Sequence, residues 1–118
     1  VNGASERLDF THVDDLARGI SLAVCSNNAR NSTYNLTRGV SHTLETAANT
    51  ILDLSLGQGD HSERIVISDR DFSFPSRGSL GIEAAKLDFG YKPEIDIEEG
   101  FFRYIDWFKN DPYWKLKI

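Results

Sequence analysis

A small α+β domain of about four helices and three short strands is the fold this chain predicts. Three observations carry the prediction. Within residues 8–20 the apolar spacing begins at period two, at Leu8, Phe10 and His12. It then turns helical at Val13, Leu16, Ala17, Ile20 and Val24, with no Gly or Pro at the changeover. A strand that feeds directly into a helix has this pattern. Second, Asp96-Ile97-Glu98-Glu99 has the layout of a capping box, and Ile97, Phe101, Tyr104, Ile105 and Phe108 continue it as one apolar stripe. Third, the β-rich runs are short and separated by helical segments, which leaves little sheet.

The elements follow in order. Residues 1–6 are polar and contain Gly3, so they read as a loop. At the first junction Thr11 is the expected N-cap, and Asp14 and Asp15 put negative charge in the first turn, where the helix dipole favours it. The helix ends near Ser26, in the turn formers of residues 26–32. Residues 33–37, Thr-Tyr-Asn-Leu-Thr, predict a short strand broken by Arg38-Gly39. Ser41 is the expected cap of a second helix, whose stripe of Leu44, Ala47, Ala48 and Ile51 runs to about Leu56. Gly57 and Gly59 end it.

Residues 64–68, Arg-Ile-Val-Ile-Ser, predict a third strand, and residues 69–78, with Pro75, a loop. A short helix about Ile82, Ala85, Leu87 and Phe89 is closed by Gly90 as a left-handed cap, and Pro93 bars continuation. The last helix runs from the Asp96 cap to about Lys109 and stops at Asp111-Pro112. Residues 113–118 form an amphipathic tail.

Composition excludes several classes of function. The chain has 118 residues, room for one small domain. Its net charge of -5 repels nucleic-acid phosphate, and Lys115 with Lys117 is too small a basic cluster to reverse that. No apolar run approaches the ~18–20 residues of a membrane span, and no signal architecture opens the chain, so we expect a cytoplasmic protein. Cys25 is the only cysteine and falls on the apolar side of the first helix, where a buried, inert thiol is expected. Asn31-Ser32-Thr33 and Asn35-Leu36-Thr37 match the glycosylation pattern only by accident on this reading. The first residue is Val1, not Met, so we expect a processed chain or a piece of a longer one. A mixture this small buries a limited core, and we expect an exposed apolar face where the rest of a parent protein would dock.

Little in the residues supports catalysis. There is no Gly-x-Ser-x-Gly elbow, and no two histidines stand at metal-ligand spacing. Asp60-His61 with Glu63 fits a solvated loop better than a metal site. The adjacent acidic pairs, Asp14/Asp15 and Glu98/Glu99, open helices, and capping explains them. No glycine-rich phosphate loop follows a strand. What remains is arginine. Arg77 sits in a loop between Pro75 and Gly78, and a planar guanidinium there suits bidentate capture of phosphate or carboxylate. Arg7 flanks the first strand. For each, a plain surface charge is the competing explanation.

Several stretches resemble the NAD-dependent epimerase/dehydratase family of the extended short-chain dehydrogenase/reductase superfamily. They are Phe10-Thr11-His12-Val13-Asp14-Asp15 with Leu16-Ala17-Arg18-Gly19; Tyr34-Asn35-Leu36; and Arg77-Gly78-Ser79-Leu80 before Ala84-Ala85-Lys86-Leu87. Phe89-Gly90-Tyr91-Lys92-Pro93 and Ile97-Glu98-Glu99-Gly100-Phe101, followed by Tyr104-Ile105-Asp106-Trp107-Phe108, complete the set. Order and spacing hold over about residues 3–108.

The resemblance implies the C-terminal, substrate-binding lobe of such an enzyme, without its Rossmann cofactor domain. The parent would use NAD(P) and act on nucleotide sugars, and a homodimeric parent is compatible with it. The family's N-terminal part supplies a Gly-rich cofactor loop and a Tyr-x-x-x-Lys pair. We expect neither here, so no catalytic, cofactor-binding or metal residue is assigned, and this chain alone should lack oxidoreductase activity. By the resemblance Arg77 grips the nucleotide diphosphate and Asn35 contacts the nucleotide. Arg7 lies one residue before the family's usual upstream arginine, where Leu8 stands. Gly81 replaces a frequent Asp that caps the short helix, a loss of about 0.5–1 kcal/mol. Two alternatives stay open. One is a non-enzymatic binding or regulatory module of the same fold. The other is part of a reductase for a small carbonyl substrate, which would need no arginine pair.

Overall fold

The computed structural model describes residues 1–115. It is α+β. β1 (Arg7–Asp9) runs into α1 (Val13–Cys25), and β2 (Ser41–Thr43) runs into α2 (Leu44–Leu56). A single 3-10 turn (Ser62–Arg64) precedes the long loop to α3 (Glu83–Phe89). α4 (Ile97–Asn110) and the four-residue α5 (Pro112–Lys115) close the chain. β1 and β2 pair antiparallel, with Leu8 opposite His42. The molecule is drawn out, 51 × 38 × 25 Å, with a radius of gyration of 17.1 Å. A compact chain of this length would have about 13.5 Å.

The locally signalled helices form as expected. Gly57 (φ 95) ends α2, and Gly90 closes α3 in the left-handed region at φ 70. Asp96 accepts a hydrogen bond from the Glu99 amide at 2.9 Å. The reciprocal half of the capping box is missing, because the Glu99 carboxylate takes Arg103 Nε at 2.6 Å instead. α3 starts without a side-chain cap, and its N-cap residue is Ile82, one position after the Gly81 expected there.

Five local expectations need correction. The N-cap of α1 is His12, whose Nδ1 accepts the Asp14 amide at 3.1 Å. Thr11 instead donates to Asp9 and accepts from the Arg38 amide. Ser41 does not cap α2; it lies in β2, and Thr43 caps by accepting the Thr46 amide at 3.0 Å. Residues 33–37 are extended but not a strand. Among the described residues no backbone–backbone bond joins residues 33–36 to another segment, and β propensity cannot make a ladder without a partner. Residues 64–68 supply the end of the 3-10 turn and one parallel bridge, Asn2 to Ser68, in place of a third strand. Cys25 is exposed, not buried. Of the predicted tail, residues 116–118 lie outside the described residues.

The largest surprise is the orientation of α1. Its apolar stripe points outward: Val13 is 67% exposed, Ile20 51% and Val24 80%. The face it buries carries Asp15 and Gly19. Against that face lies the segment after α3, in which buried Tyr91, Pro93 and Ile95 alternate with exposed Lys92, Glu94 and Asp96. A Cβ on Gly19 would come within 2.8 Å of the Tyr91 ring, so the glycine is what lets the ring seat on the helix. Asp15 is more than a helix-start charge. Fully buried, it accepts the amides of Glu94 (3.0 Å) and Ile95 (2.9 Å) and the Arg18 guanidinium (2.6 Å). Arg18 also donates to the Lys92 carbonyl at 2.8 Å.

Asp9 does the same for the middle of the chain, accepting the amides of Arg38 and Gly39, each at 2.9 Å. Arg38 in turn donates to the Pro93 carbonyl at 2.8 Å. The β1–α1 junction therefore holds two distant segments, residues 38–39 and 94–95, through the part-buried Asp9 and the buried Asp15. On the other side Phe10 meets Phe101 of α4 edge-on at 5.7 Å, and α2 packs against α4.

Candidate functional site

Two concavities differ in character, beside a third of about 400 Å³ lined by Arg38, Ser79 and Lys86. An apolar groove of about 490 Å³ runs between the start of α1 and α4, walled by Phe10, Val13, Phe101, Tyr104 and Trp107. Its one guanidinium, Arg103, is already engaged by Glu99 and Asp14. It offers a largely aromatic, apolar surface.

The second pocket, about 380 Å³, has the opposite character. β1, the N-terminal turn and the 69–78 loop bring Arg7, Arg70 and Arg77 to one cavity, with Glu6, Asp71 and Phe74 also lining it. The loop is shaped by its own short-range bonds. Asp71 accepts both the hydroxyl (2.6 Å) and the amide (2.9 Å) of Ser73, which hold its carboxyl below the usual range, the hydroxyl contributing most. Arg70 donates to the Phe74 carbonyl at 3.0 Å and lies over the Phe72 ring at 5.2 Å. Pro75 stiffens the approach to Arg77.

The arginines differ in how they are held. Arg7 is clamped to β2: its Nε donates to Ser41 Oγ at 2.9 Å and its Nη2 to the Ser41 carbonyl. Arg77 is exposed and has no hydrogen-bond or ion-pair partner among the described residues. A protein of net charge -5 thus gathers three guanidinium groups in one concavity, one of them uncommitted. That arrangement suits an anion with several oxygens, such as a diphosphate.

Of the residues singled out by sequence, Arg7 and Arg77 come together and Asn35 does not join them. Asn35 lies beyond the loop, where its amide donates to the Gly81 carbonyl at 3.1 Å. Sequence reasoning missed Arg70, Glu6 and Phe74. Arg70 had one readable signal, its place in the same Pro-containing loop as Arg77; Glu6 had none, because it reaches the pocket through the Asn2–Ser68 bridge.

Among the described residues no cluster of three or more His, Cys, Asp or Glu could hold a metal ion, and no helix is long and apolar enough to cross a membrane. Asp60, His61 and Glu63 do not form a ligand set. His61 bonds Asp53 and the Gly57 carbonyl at the end of α2. The chain holds no glycine-rich loop after a strand to seat a dinucleotide. Tyr-x-x-x-Lys spacing, which was not expected here, does occur once, at Tyr113 and Lys117 after α4. Lys117 lies outside the described residues.

No family model matches the chain. It is 33% identical over 104 residues to a Methanocaldococcus jannaschii protein described as "Putative UDP-glucose 4-epimerase", covering 87% of this chain and 31% of that one. Among solved structures, an epimerase from Methanothermobacter thermautotrophicus superposes with a TM-score of 0.84 at 26% identity, over 98% of this chain and 33% of that one. A Thermotoga maritima UDP-glucose 4-epimerase, solved with UDP-glucose, gives 0.79 at 20% identity and shares the fold, over 92% of this chain and 34% of that one. The chain thus spans about a third of the length of the relatives it matches. With the motif order from Phe10 to Phe108, these likenesses bear out the resemblance to the NAD-dependent epimerase/dehydratase family, over about a third, the C-terminal part, of its enzymes.

Proposed function

We propose that this chain is the substrate-binding portion of an NAD(P)-dependent nucleotide-sugar epimerase or dehydratase, and that it grips the nucleotide diphosphate with Arg77 and Arg7. The observation that carries the proposal is the free Arg77 guanidinium, which opens on the same pocket as Arg7. A structural arginine would be tied down, as Arg18, Arg38 and Arg103 are. Arg7 supplies a fixed wall and Arg77 an uncommitted fork. Asn35 belongs to the proposal as a second contact that must first release Gly81.

The parent's remaining part would carry the cofactor and the hydride chemistry. Two features of this chain support such a partner domain. The apolar stripe of α1 is uncovered, and among the described residues the extended residues 33–36 have no backbone–backbone partner. The first is a face that a partner domain could cover, the second a segment that it could pair with.

Calorimetric titration of the chain with UDP and with uridine tests the grip. UDP should bind the unaltered chain more tightly than uridine. Arg77→Ala should weaken UDP by about 10–100-fold, the range for a lost charge-assisted pair, and leave uridine unchanged. Arg7→Ala should cost less, because Ser41 already holds part of its fork. Equal UDP affinity with and without Arg77 would refute the proposal.

A further inference from the structure

We propose that Arg70 is a third anion-binding residue of this pocket and that Glu6 is its built-in competitor, a carboxylate that occupies the Arg70 and Ser76 donors until a diphosphate displaces it. The inference rests on the reading of the arginine pocket as a diphosphate site and adds how that site is kept when empty.

The juxtaposition is made by the backbone. Gly3, at φ 66, turns the N-terminal segment so that its amide meets the Ser68 carbonyl at 2.9 Å. Ser68 returns a bond to the Val1 carbonyl at 2.9 Å, and the Glu6 amide closes on Gly3 at 2.8 Å. A Cβ on Gly3 would sit 3.0 Å from Glu6 Cγ and 3.2 Å from Arg70 Cβ, so the glycine is where these two chains pack. Glu6 is thereby fixed in the cavity wall with only 24% of its side chain exposed, and Arg70 with 28%.

The bonds that Glu6 makes are those a phosphate oxygen would make, but poorer. Its Oε1 lies 3.4 Å from Arg70 Nε, an ion pair longer than a good N–H···O bond, and its Oε2 accepts from Ser76 Oγ at 3.1 Å. Ser76 directly precedes Arg77. An anion reaching Arg77 therefore arrives beside a hydroxyl and a guanidinium already aimed at a carboxylate. A diphosphate carries more charge than Glu6 and more acceptor oxygens, so it can hold Arg70, Ser76 and Arg77 together, as one carboxylate cannot. Arg70 keeps its own aim throughout, because its Nη2 stays on the Phe74 carbonyl.

The test uses inorganic pyrophosphate titrated into the chain and into the variants Glu6→Gln, Arg70→Ala and the double variant. Glu6→Gln should tighten pyrophosphate by about 2–5-fold, the worth of one partly exposed ion pair. Arg70→Ala should weaken it, and in that background Glu6→Gln should bring no gain. A gain that persists without Arg70 would mean that Glu6 acts only as a nearby charge, and would overturn the inference; so would no gain at all. Arg70→Lys, which keeps the charge but not the fork, should also weaken binding, and it guards against misfolding of the alanine variant. An Arg77→Ala arm separates the two readings. If it weakens pyrophosphate while Glu6 and Arg70 have no effect, only this inference fails. If it too has no effect, or if pyrophosphate binds none of the chains, the diphosphate site fails with it.

Discussion

The β1–α1 junction and the 69–78 loop both concentrate charge, yet they spend it in opposite ways. At the junction the charged groups are consumed by the fold. Asp9 and Asp15 between them accept four backbone amides, and Arg18 and Arg38 are aimed inward at carbonyls. In the loop, carboxylates fix local turns while Arg77 is left without a partner. Buried charge is tolerated only when its bonds are complete, so a satisfied, buried carboxylate reports structure. An exposed guanidinium held near two others has no such reason to be there, and its binding capacity is unspent.

Breaking the junction should have the largest effect. Asp15→Ala removes the acceptor for two amides and leaves the Arg18 guanidinium beside the Lys92 carbonyl. Two amides left without their acceptor cost about 1–3 kcal/mol each, and Arg18, 41% exposed and still beside Glu94, adds little. A single domain has only about 5–15 kcal/mol to lose. Urea unfolding should show that loss. A change below about 1 kcal/mol would mean that the junction's carboxylates are as dispensable as surface charges, and the contrast with the loop would collapse.

Next in size is Gly19→Ala. The new methyl would meet Tyr91 Cε2 at 2.8 Å and Leu36 Cδ2 at 3.1 Å. Tyr91 cannot retreat easily, being fully buried with its hydroxyl on the Thr37 carbonyl at 3.1 Å. Overpacking of about 1–3 kcal/mol outweighs the roughly 1 kcal/mol that alanine gains over glycine in a helix. Gly100→Ala in α4 is the control. There a Cβ would find His12 at 3.5 Å and Ile95 at 3.8 Å, ordinary contact, so the propensity gain should survive and raise the thermal midpoint.

The same division explains what could be read in the sequence. Helices α2, α3 and α4 and the Asp96 cap were legible because their signals lie within a turn or two of each other. Asp15 was legible only as a first-turn acid. Its amide partners lie some eighty positions away, and a backbone N–H leaves no side-chain signal in the sequence to flag it. The α1 spacing marked the helix, but this chain leaves its apolar face open and buries the opposite one. Residues 33–37 have strand composition without a ladder, for the same reason: a strand is a property of two segments. In the pocket, the family resemblance pointed to Arg77 and, one residue out of register, to Arg7. Arg70 and Glu6 depend on a single backbone bridge between residues 2 and 68, which no spacing rule encodes.

The smallest expected effect sharpens the comparison at the rim of the junction. Tyr34 packs edge-on against Phe89 at 4.9 Å and donates its hydroxyl proton to Asp88, which raises its pKa above the ordinary value of 10.0. The Asp88 hydrogen bond is the main cause, with loss of hydration adding to it. A pKa raised by folding means that the folded state holds the proton more tightly than the unfolded chain does. The stabilisation is therefore complete below the unfolded value and is lost as pH rises through the folded one. Tyr34→Phe should lower stability slightly at neutral pH and flatten its decline on the alkaline side. Some decline should remain, because burial, with Asp15 nearby, pushes Tyr91 in the same direction. Urea midpoints measured across the alkaline range for both chains would read this directly. Parallel alkaline declines would mean that Asp88 does not hold the Tyr34 proton. The contact between residue 34 and α3 would then rest on ring packing, with Ser26 and Asn28 holding the Asp88 carbonyl, and the Asp88 carboxylate would not join Asp9 and Asp15 in tying distant segments together.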